Sequence, residues 1–465
     1  MEGLEITELM LSQVKNDNEK LRIDSAFFSK PMLAADQQVR LYPGGHDELG
    51  LLFARFVKGI FDINADAYVE DGVPFVRIQN LKDGLIDDRG LAFIPESIHE
   101  EEKKTELRRG DIVLSKTAYP AASLFTFDRG NASQDTIATT LSKHGRLHYE
   151  EPAVVAYLNS KIGQTLLWRQ FQGNVQLHLS LDDGRKVPIP RLSKALQAGV
   201  TQAFSKAQGV REAAKREIKG AQRLLMHALG LDTWTPPDAL TYERSSCEAF
   251  AAGRLDAQFF APRVTQLLQR LGIDGLRIAD VAPARHQRFE PAGEGCFDYI
   301  EIGSLGADGT AQGEAVPMRE APSRATQHVR AGDVVTSTVR PIRRLSALIA
   351  PEQDGAVCSS GFVVLEPQHI SGEVLLTYLR LPLVCELMDL QTSATMYPAI
   401  AEADLLALPI PAIAPAVQAQ VQSALRQAAQ ARQRAARLLD AAKRAVEIAI
   451  EDSETAALAH LEGVA

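Results

Sequence analysis

The sequence predicts an α+β protein made of two tandem copies of one unit, each a mixed β domain with helices that is followed by a long helix. Two observations predict this architecture. The 465-residue chain matches itself at an offset of about 220 residues. Each copy also ends in a Pro-x-Pro element, after which apolar residues recur with helical spacing. A chain of this length is expected to hold two or more domains.

The repeat consists of four matched blocks that occur in the same order in both copies. The matched pairs are 21–28 with 253–260, 75–81 with 299–305, 107–115 with 329–337, and 187–190 with 408–411. Chance similarity between β-rich segments is the alternative, but it would not preserve both the order and the offset. The repeat is therefore interpreted as an internal duplication.

Each block has a predicted local structure. Segments 75–81 and 299–305 alternate apolar and polar residues, which is typical of half-buried strands. Gly110-Asp111 and Gly332-Asp333 are turn sequences that lead into β-branched runs. Each copy is therefore expected to open with a mostly β domain.

The second half of each domain is predicted to contain helix. Apolar residues recur at three and four positions in 153–171 and 373–390, as on one face of a helix. The Pro-x-Pro elements at 188–190 and 409–411 end each domain, because proline disfavours helical backbone in the residue before it. The predicted boundaries are 1–190 and 233–411 for the two domains, and 191–232 and 412–465 for the helices with the C-terminal tail.

A narrow apolar stripe runs along each predicted long helix. The first stripe is Leu196, Val200, Ala203, Ala207, Val210, Ala214, Ile218, Ala221 and Leu225; the second is Val417, Val421, Ala424, Ala428, Ala431, Ala435, Leu439, Ala442 and Val446. The spacing is close to a heptad pattern. A helix of about 36 residues spans about 54 Å, and a stripe this long needs a partner. Twofold symmetry favours antiparallel pairing of the two helices in a coiled-coil-like spacer; the alternative is that each helix packs on its own domain.

Basic residues collect on both predicted helices. They are Lys194, Lys206, Arg211, Lys215, Arg216, Lys219 and Arg223 in the first, and Arg426, Arg432, Arg434, Arg437, Lys443 and Arg444 in the second. A solvated helix face is the ordinary explanation. Binding of partner subunits or of phosphates is the alternative.

The sequence contains none of the common motifs of catalysis or cofactor binding. Phosphate-binding and dinucleotide-binding glycine motifs, zinc-ligand clusters and a nucleophile elbow are all missing. The four cysteines are widely spaced, no apolar run is long enough for a membrane helix, and no signal peptide is evident, so we expect a cytoplasmic protein without a membrane partner. A duplicated chain with no duplicated acid–base pair is interpreted as a binding protein, with no catalytic residues and no metal or cofactor of its own.

The duplicated motifs resemble those of the specificity (S) subunit of type I restriction-modification systems. Residues 332–341, GDVVTSTVRP, resemble a family element, and 110–117 form its weaker copy. Residues 397–411 resemble the end of a recognition domain; their first copy, 177–190, lacks the early proline. The resemblance covers nearly the whole chain. The long helices preserve only the outline of the family pattern, which favours a divergent phage-defence system over a standard restriction operon.

The resemblance implies two target-recognition domains held apart by the paired helices. Such a subunit recognises double-stranded DNA at a bipartite, asymmetric target. It implies adenine methyltransferase subunits as partners, expected as two copies, with S-adenosylmethionine bound by them and not by this chain. It also implies that an ATP-dependent restriction subunit can join the complex.

The candidate DNA-binding residues are polar side chains in or beside the shared motifs. They are Arg77, Gln79, Asn80, Lys116, Tyr119, Gln176 and His178 in the first domain, and Thr338, Arg340, Arg343, Arg344 and Tyr397 in the second. Arginine and lysine suit guanine, and asparagine and glutamine suit adenine. A role in stabilising the turns is the alternative for each. The net charge of −9 is unusual for a DNA-binding chain and favours the competing hypothesis, a duplicated protein–protein adaptor.

Overall fold

The protein consists of two compact units, and each long helix contributes one half to each unit. The computed structural model describes residues 7–15, 22–63, 65–69, 71–82, 84–173, 177–392 and 398–464. The first unit comprises residues 1–212 and 431–465, and the second comprises residues 213–430. The two units are described separately below.

The first unit contains twelve strands and nine complete helices within its described residues; eight helices precede the first long helix, and the ninth, α17 (Glu454–Val464), lies at the C-terminal end. The strands are β1 (His46–Glu48), β2 (Phe53–Lys58), β3 (Val73–Val76), β4 (Leu81–Lys82), β5 (Leu85–Ile86), β6 (Ala92–Ile94), β7 (Glu106–Arg108), β8 (Ile112–Ser115), β9 (Ala122–Leu124), β10 (Arg129–Ala132), β11 (Thr136–Leu141) and β12 (Pro188–Pro190). The helices are α1 (Leu11–Lys15), α2 (Lys30–Arg40), α3 (Leu49–Leu52), α4 (Glu96–Glu101), α5 (Lys143–His148), α6 (Glu151–Asn159), α7 (Lys161–Gln170) and α8 (Leu181–Arg185). The first long helix, α9 (Lys194–Ala228), follows.

The second unit repeats this succession of elements in shorter form. Its helices are α10 (Ser246–Ala252), α11 (Pro262–Leu271), α12 (Ile278–Val281), α13 (Gly372–Leu379), α14 (Pro382–Leu390) and α15 (Glu402–Ala407). Its strands are β13 (Cys296–Ile300), β14 (Glu314–Pro317), β15 (Ala325–His328), β16 (Val334–Ser337), β17 (Ser346–Leu348), β18 (Val357–Ser359) and β19 (Phe362–Leu365). The second long helix, α16 (Pro415–Glu451), and α17 (Glu454–Val464) complete the chain.

The sheets of the two units have matching strand orders. One sheet runs β6-β3-β10-β7 in the first unit and β14-β13-β18-β15 in the second. Its central pair is parallel in both units, β3 with β10 and β13 with β18. A second sheet is β2-β11-β8-β9-β5-β4 in the first unit, and its middle, β11-β8-β9, matches the three-stranded sheet β19-β16-β17 of the second unit. The first unit also has a two-stranded sheet, β1-β12. The internal duplication predicted from the sequence is therefore also present in the fold.

Individual side-chain contacts recur at matching positions. The Tyr157 hydroxyl donates to the Pro188 carbonyl, and the Tyr378 hydroxyl donates to the Pro409 carbonyl, both at 2.6 Å. These bonds fix each Pro-x-Pro segment to a buried helix.

The start of each repeat also carries the same ion pair. Arg22 Nε lies 2.8 Å from Asp24 Oδ2, and Arg254 Nε lies 2.7 Å from Asp256 Oδ2. The neighbouring arginine lowers the pKa of each of these aspartates below its ordinary value.

The strands predicted at 75–81 and 299–305 are shorter than expected. They end at Val76 and Ile300, and 3-10 turns follow at 78–80 and 302–304. The reason is that a nearby side chain binds the backbone N–H at each strand end. The Asn80 side chain accepts from the Arg77 N–H at 3.1 Å, and the Ser304 hydroxyl accepts from the Glu301 N–H at 3.1 Å. Such side-chain bonds stabilise turns at the expense of a strand ladder.

The helical segments predicted at 153–171 and 373–390 are each two helices. In the first unit Ser160 separates them, because its hydroxyl caps α7 by accepting from the Gly163 N–H at 3.1 Å. In the second unit Pro382 occupies the start of α14, where the absent N–H costs nothing.

The apolar stripes of both long helices are buried, as their spacing predicts. Most stripe residues are under 8% exposed, and Leu196, Val200, Leu225, Val421 and Ala435 are fully buried. In the first unit the hydrophobic core includes stripe residues from the first half of α9 and the second half of α16. In the second unit it includes the second half of α9 and the first half of α16. Each core also contains residues of the globular part.

The C-terminal segment 412–465 is two helices, where one helix with a tail was predicted. Helix α16 ends at Glu451, and α17 begins at Glu454. The Ser453 hydroxyl accepts from the Ala456 N–H at 3.3 Å, as a helix N-cap does. Helix α17 lies close to α9 at Gly199, where a Cβ atom would come within 3.0 Å of Leu461. Within the described residues, none of the helices is long and apolar enough to cross a membrane.

Candidate nucleic-acid interface

The loop between β8 and β9, residues 116–121, brings several predicted DNA-binding residues of the first unit together. We call it the first loop. The Tyr119 hydroxyl lies 3.5 Å from the Ile78 carbonyl, which places the loop beside the 3-10 turn 78–80. The Ala118 N–H donates to the Leu177 carbonyl at 3.1 Å, and Thr117 forms a β-bridge with His178. Three segments that are distant in sequence therefore meet here.

The 3-10 turn 78–80 presents Gln79 and buries Asn80. Gln79 is exposed, and its Nε2 lies 3.4 Å from the Gly90 carbonyl. Asn80 is fully buried, and its Nδ2 donates to the carbonyls of Asp87 and Arg89 at 2.9 and 3.0 Å. Asn80 thus shapes the turn, and we leave it out of the proposed interface. Arg77 is half-buried, with its guanidinium over the Tyr68 ring and donating to Gly90.

A pair of lysines gives this part of the first unit a positive charge. Lys116 opens the first loop, and Lys58 ends β2. Burial lowers the pKa of the Lys116 ammonium below its ordinary value, with Lys58 adding repulsion and Asp135 opposing the shift. An anion beside Lys116 would relieve this repulsion. Lys58 was not among the candidates predicted from the sequence, because only the β2–β11 pairing brings it here.

Gln172, Leu177 and His178 form one side of this site. Gln172 and His178 exchange both backbone hydrogen bonds, at 2.9 and 2.8 Å. His178 is exposed. The candidate Gln176 lies outside the described residues.

The second unit has an equivalent loop between β16 and β17, residues 338–345, which we call the second loop. The Arg340 N–H donates to the Pro398 carbonyl at 2.9 Å, as Ala118 does to Leu177. The Ile400 N–H donates to the Thr338 carbonyl at 3.0 Å, as Leu179 does to Lys116 in the first loop. The same scaffold therefore supports both loops. The candidate Tyr397 lies outside the described residues.

The second loop is an arginine-rich turn with an uncommon backbone. Residues 341–343 form a 3-10 turn, and Arg340 and Arg344 on either side have φ angles of 49° and 57°. Ala118, the counterpart of Arg340, has a φ of 62°. Left-handed backbone costs free energy for residues other than glycine and is concentrated at functional sites. Arg343 and Arg344 are exposed and Arg340 is half-buried, whereas the Thr338 hydroxyl donates to the Gly361 carbonyl at 3.0 Å.

A buried aspartate anchors the strand before each loop. Asp111 lies 2.7 Å from Arg55 and accepts from the Arg108 N–H, and Asp333 lies 2.8 Å from Arg285. The repeated Gly-Asp step predicts the turn, and Gly110 and Gly332 do adopt positive φ. It does not predict the arginine partners, which lie about 50 residues earlier in the chain. Within the described ranges, no cluster of side chains suited to binding a metal ion occurs.

Comparison with known proteins finds similar chains among solved structures. No family model and no curated protein matches the chain. Among solved structures, the S subunit of the type I restriction-modification system of M. genitalium aligns with 91% of this chain and 98% of its own, at 12% identity and a TM-score of 0.32. The chain is similar to type I S subunits over most of its length. The HsdS subunit of Thermoanaerobacter tengcongensis aligns with 91% of this chain and 96% of its own, at 16% identity and a TM-score of 0.26.

A third neighbour comes from a study of complex assembly and conformational transition in the type I R-M system. It aligns with 91% of this chain and 97% of its own, at 16% identity and a TM-score of 0.25. The type I S subunit is also the family that the sequence motifs resemble.

Proposed function

We propose that this chain is a DNA sequence-specificity subunit that recognises a bipartite, asymmetric target and directs a partner DNA methyltransferase to it. One observation carries the proposal: a single loop scaffold occurs twice, with the same backbone bonds and different exposed side chains. The first loop presents the exposed Tyr119 beside the half-buried Lys116, and the second presents the exposed Arg343 and Arg344. Two related sites with different chemistry suit two different half-sites.

The side chains in and beside both loops have the chemistry of base and phosphate recognition. Arginine can donate two hydrogen bonds to guanine, and glutamine can pair with adenine in the major groove. Lysines such as Lys58 and Lys116 suit phosphate contacts, which position a protein on the duplex without selecting a sequence. We assign Gln79, Tyr119 and His178 to the first half-site and Arg343 to the second.

We propose that the long helices separate the two recognition domains as an antiparallel pair. Helix α16 has 37 residues and α9 has 35, so each spans about 54 Å at 1.5 Å per residue. The sharing of helix halves between the two hydrophobic cores supports this arrangement, because antiparallel partners place the start of one helix beside the end of the other. A fixed helix length would then set a fixed gap between the half-sites.

We assign the chemistry to partner subunits. Two adenine methyltransferase subunits with S-adenosylmethionine would transfer the methyl group, and an ATP-dependent restriction subunit would add cleavage. The net charge of −9 favours affinity that depends on those partners, with this chain supplying selectivity.

The test is selection of bound sequences from a random duplex library by the purified chain together with its methyltransferase. We expect an enriched motif with two unlike half-sites at one fixed spacing. Enrichment of no bipartite motif would contradict the proposal and favour a protein–protein adaptor, the alternative that the acidic composition supports.

Two lysine variants provide a matched control in the same assay. Lys116→Gln should weaken binding to all sequences and reduce the slope of log affinity against log salt by about one, since one phosphate contact is lost. Lys104→Gln removes the same charge from a side chain that is 73% exposed and should change neither quantity. Equal effects of the two variants would exclude a specific phosphate contact at Lys116.

A further inference from the structure

A buried arginine lies beneath the second loop. Arg380 is 5% exposed, at the end of α13. Its Nη1 donates to the carbonyls of Arg344 and Ser346 at 2.6 and 3.0 Å, and its Nη2 donates to the Ala307 carbonyl. The guanidinium thus connects three carbonyl groups, one of which belongs to the second loop itself.

The first unit has a shorter side chain at the same place. Asn159, at the end of α6, donates to the Ala122 carbonyl at 2.7 Å and accepts from the Ala122 N–H at 3.1 Å. Ala122 begins β9, as Ser346 begins β17. Asn159 therefore holds the start of the strand, whereas Arg380 holds the start of the strand and the last turn of the loop.

The difference in side-chain length matches a difference in loop length. Six residues lie between Ser115 and Ala122, and eight lie between Ser337 and Ser346. The longer loop contains two residues with positive φ, Arg340 and Arg344. Positive φ at a residue other than glycine persists only when contacts with the surrounding structure hold the backbone in that conformation. The hydrogen bond from Arg380 to the Arg344 carbonyl is such a contact.

The two exposed arginines of the loop have different surroundings. The charge of Arg344 acts on the Cys385 thiol in α14, where it opposes the effect of burial, which raises that thiol's pKa to about 11. Arg344 thus lies close enough to α14 for its charge to act on that buried thiol. Arg343 ends the 3-10 turn and is exposed beside Ile342, which is 45% exposed.

We infer that Arg343 recognises a guanine in the second half-site and that Arg380 is the positioning residue that fixes the turn presenting it. The inference rests on the proposed function and deepens it. Arginine can donate two hydrogen bonds to guanine O6 and N7, and this geometry requires a rigid backbone behind the side chain. In the first unit, with a six-residue loop and asparagine at the supporting position, no arginine occupies the loop.

The experiment measures methylation of a duplex library by the complex of the full chain with its methyltransferase, followed by sequencing of the modified sites. Arg343→Gln should reduce preference for guanine at one position of one half-site by roughly 10- to 100-fold. Arg380→Asn, which installs the residue of the first unit, should weaken preference at that same position. Arg380→Lys should do so less, since a lysine retains donors for the carbonyls. The other half-site serves as an internal control and should be unchanged.

Arg319→Gln is the matched charge control. Its side chain is 84% exposed. Arg319 lies two residues after Pro317, which pairs with Cys296 at the start of β13. The second loop lies near the opposite end of β13, because Thr338 bonds to Gly361 and Gly361 is close to Ile302, two residues after that strand ends. This variant should leave base preference intact in both half-sites.

Three outcomes separate the possibilities. An unchanged second half-site in Arg343→Gln would overturn the assignment to guanine. Equal losses in both half-sites for Arg380→Asn would overturn the positioning role and indicate general destabilisation; should that variant fail to fold, Arg380→Lys measures the same position. Failure of the unaltered complex to show any bipartite motif would reject the proposed function itself.

Discussion

Removal of one buried hydroxyl group tests how each Pro-x-Pro segment is held. Tyr378 is fully buried, and its hydroxyl donates to the Pro409 carbonyl at 2.6 Å. Tyr378→Phe preserves the ring and its packing and deletes only the donor. The Pro409 carbonyl would then lose this hydrogen bond in a region with little water.

The expected cost follows from this geometry. Leaving a buried acceptor unsatisfied costs about 1–3 kcal/mol of unfolding free energy. In a unit of roughly 200 residues, a loss of 1 kcal/mol of unfolding free energy lowers Tm by about 2–4 °C, so a loss of 2 kcal/mol lowers Tm by about 4–8 °C. Tyr157→Phe should produce a similar loss in the first unit, because Tyr157 is 1% exposed and makes the equivalent bond to Pro188.

Calorimetry and urea denaturation of the single variants measure these losses. Tyr119→Phe is the control, since its side chain is 40% exposed and its hydroxyl bond to the Ile78 carbonyl is long, at 3.5 Å. Its effect should stay within about 0.5 kcal/mol. If both buried tyrosines behave like Tyr119, these hydroxyl bonds do not stabilise the Pro-x-Pro segments.

Two further predictions concern backbone conformation and pH. Gly110→Ala should destabilise the first unit by about 1 kcal/mol, because the Gly110 φ angle is +93°, although an added Cβ would meet no atom within 4 Å. Gly220→Ala, inside α9, is the control and should be neutral or stabilising by up to about 1 kcal/mol. Equal losses of unfolding free energy for the two variants in denaturation would contradict this prediction. Arg191 lowers the pKa of Asp47 by hydrogen bonding, with burial opposing and Tyr149 adding a bond at 2.9 Å. Stability from the ionised carboxylate is present above the ordinary aspartate pKa and is lost as pH falls through the lowered value. Asp47→Asn should therefore cost about 1–2 kcal/mol at pH 7, and urea midpoints should converge with those of the unaltered chain as pH falls below the lowered pKa of Asp47; a difference that stays constant as pH falls would contradict the account.

Features encoded by local sequence pattern could be predicted. The duplication, the two Gly-Asp turns and the burial of the long stripes follow from residue order and periodicity. The stripe prediction succeeded because a 3.6-residue period over 35 residues leaves one narrow face, and Leu196 and Leu225 at its ends are both fully buried.

Features that depend on tertiary contact could not be predicted. Asn80 is an exposed polar candidate when judged by residue type, but its amide closes a turn through carbonyls seven and nine residues away. Lys58 reaches Lys116 only through strand pairing, and Arg380 lies 36 residues after the Arg344 carbonyl that it binds. None of these pairings leaves a periodic signal in the sequence.

The central claim is that this chain selects a bipartite DNA target for a methyltransferase. A map of modified bases across the genome of a cell with and without this gene tests it most directly. The account predicts that one motif, with two unlike half-sites at a single spacing, loses its modification when the gene is removed. Identical maps in a cell that contains the active partner methyltransferase would contradict it.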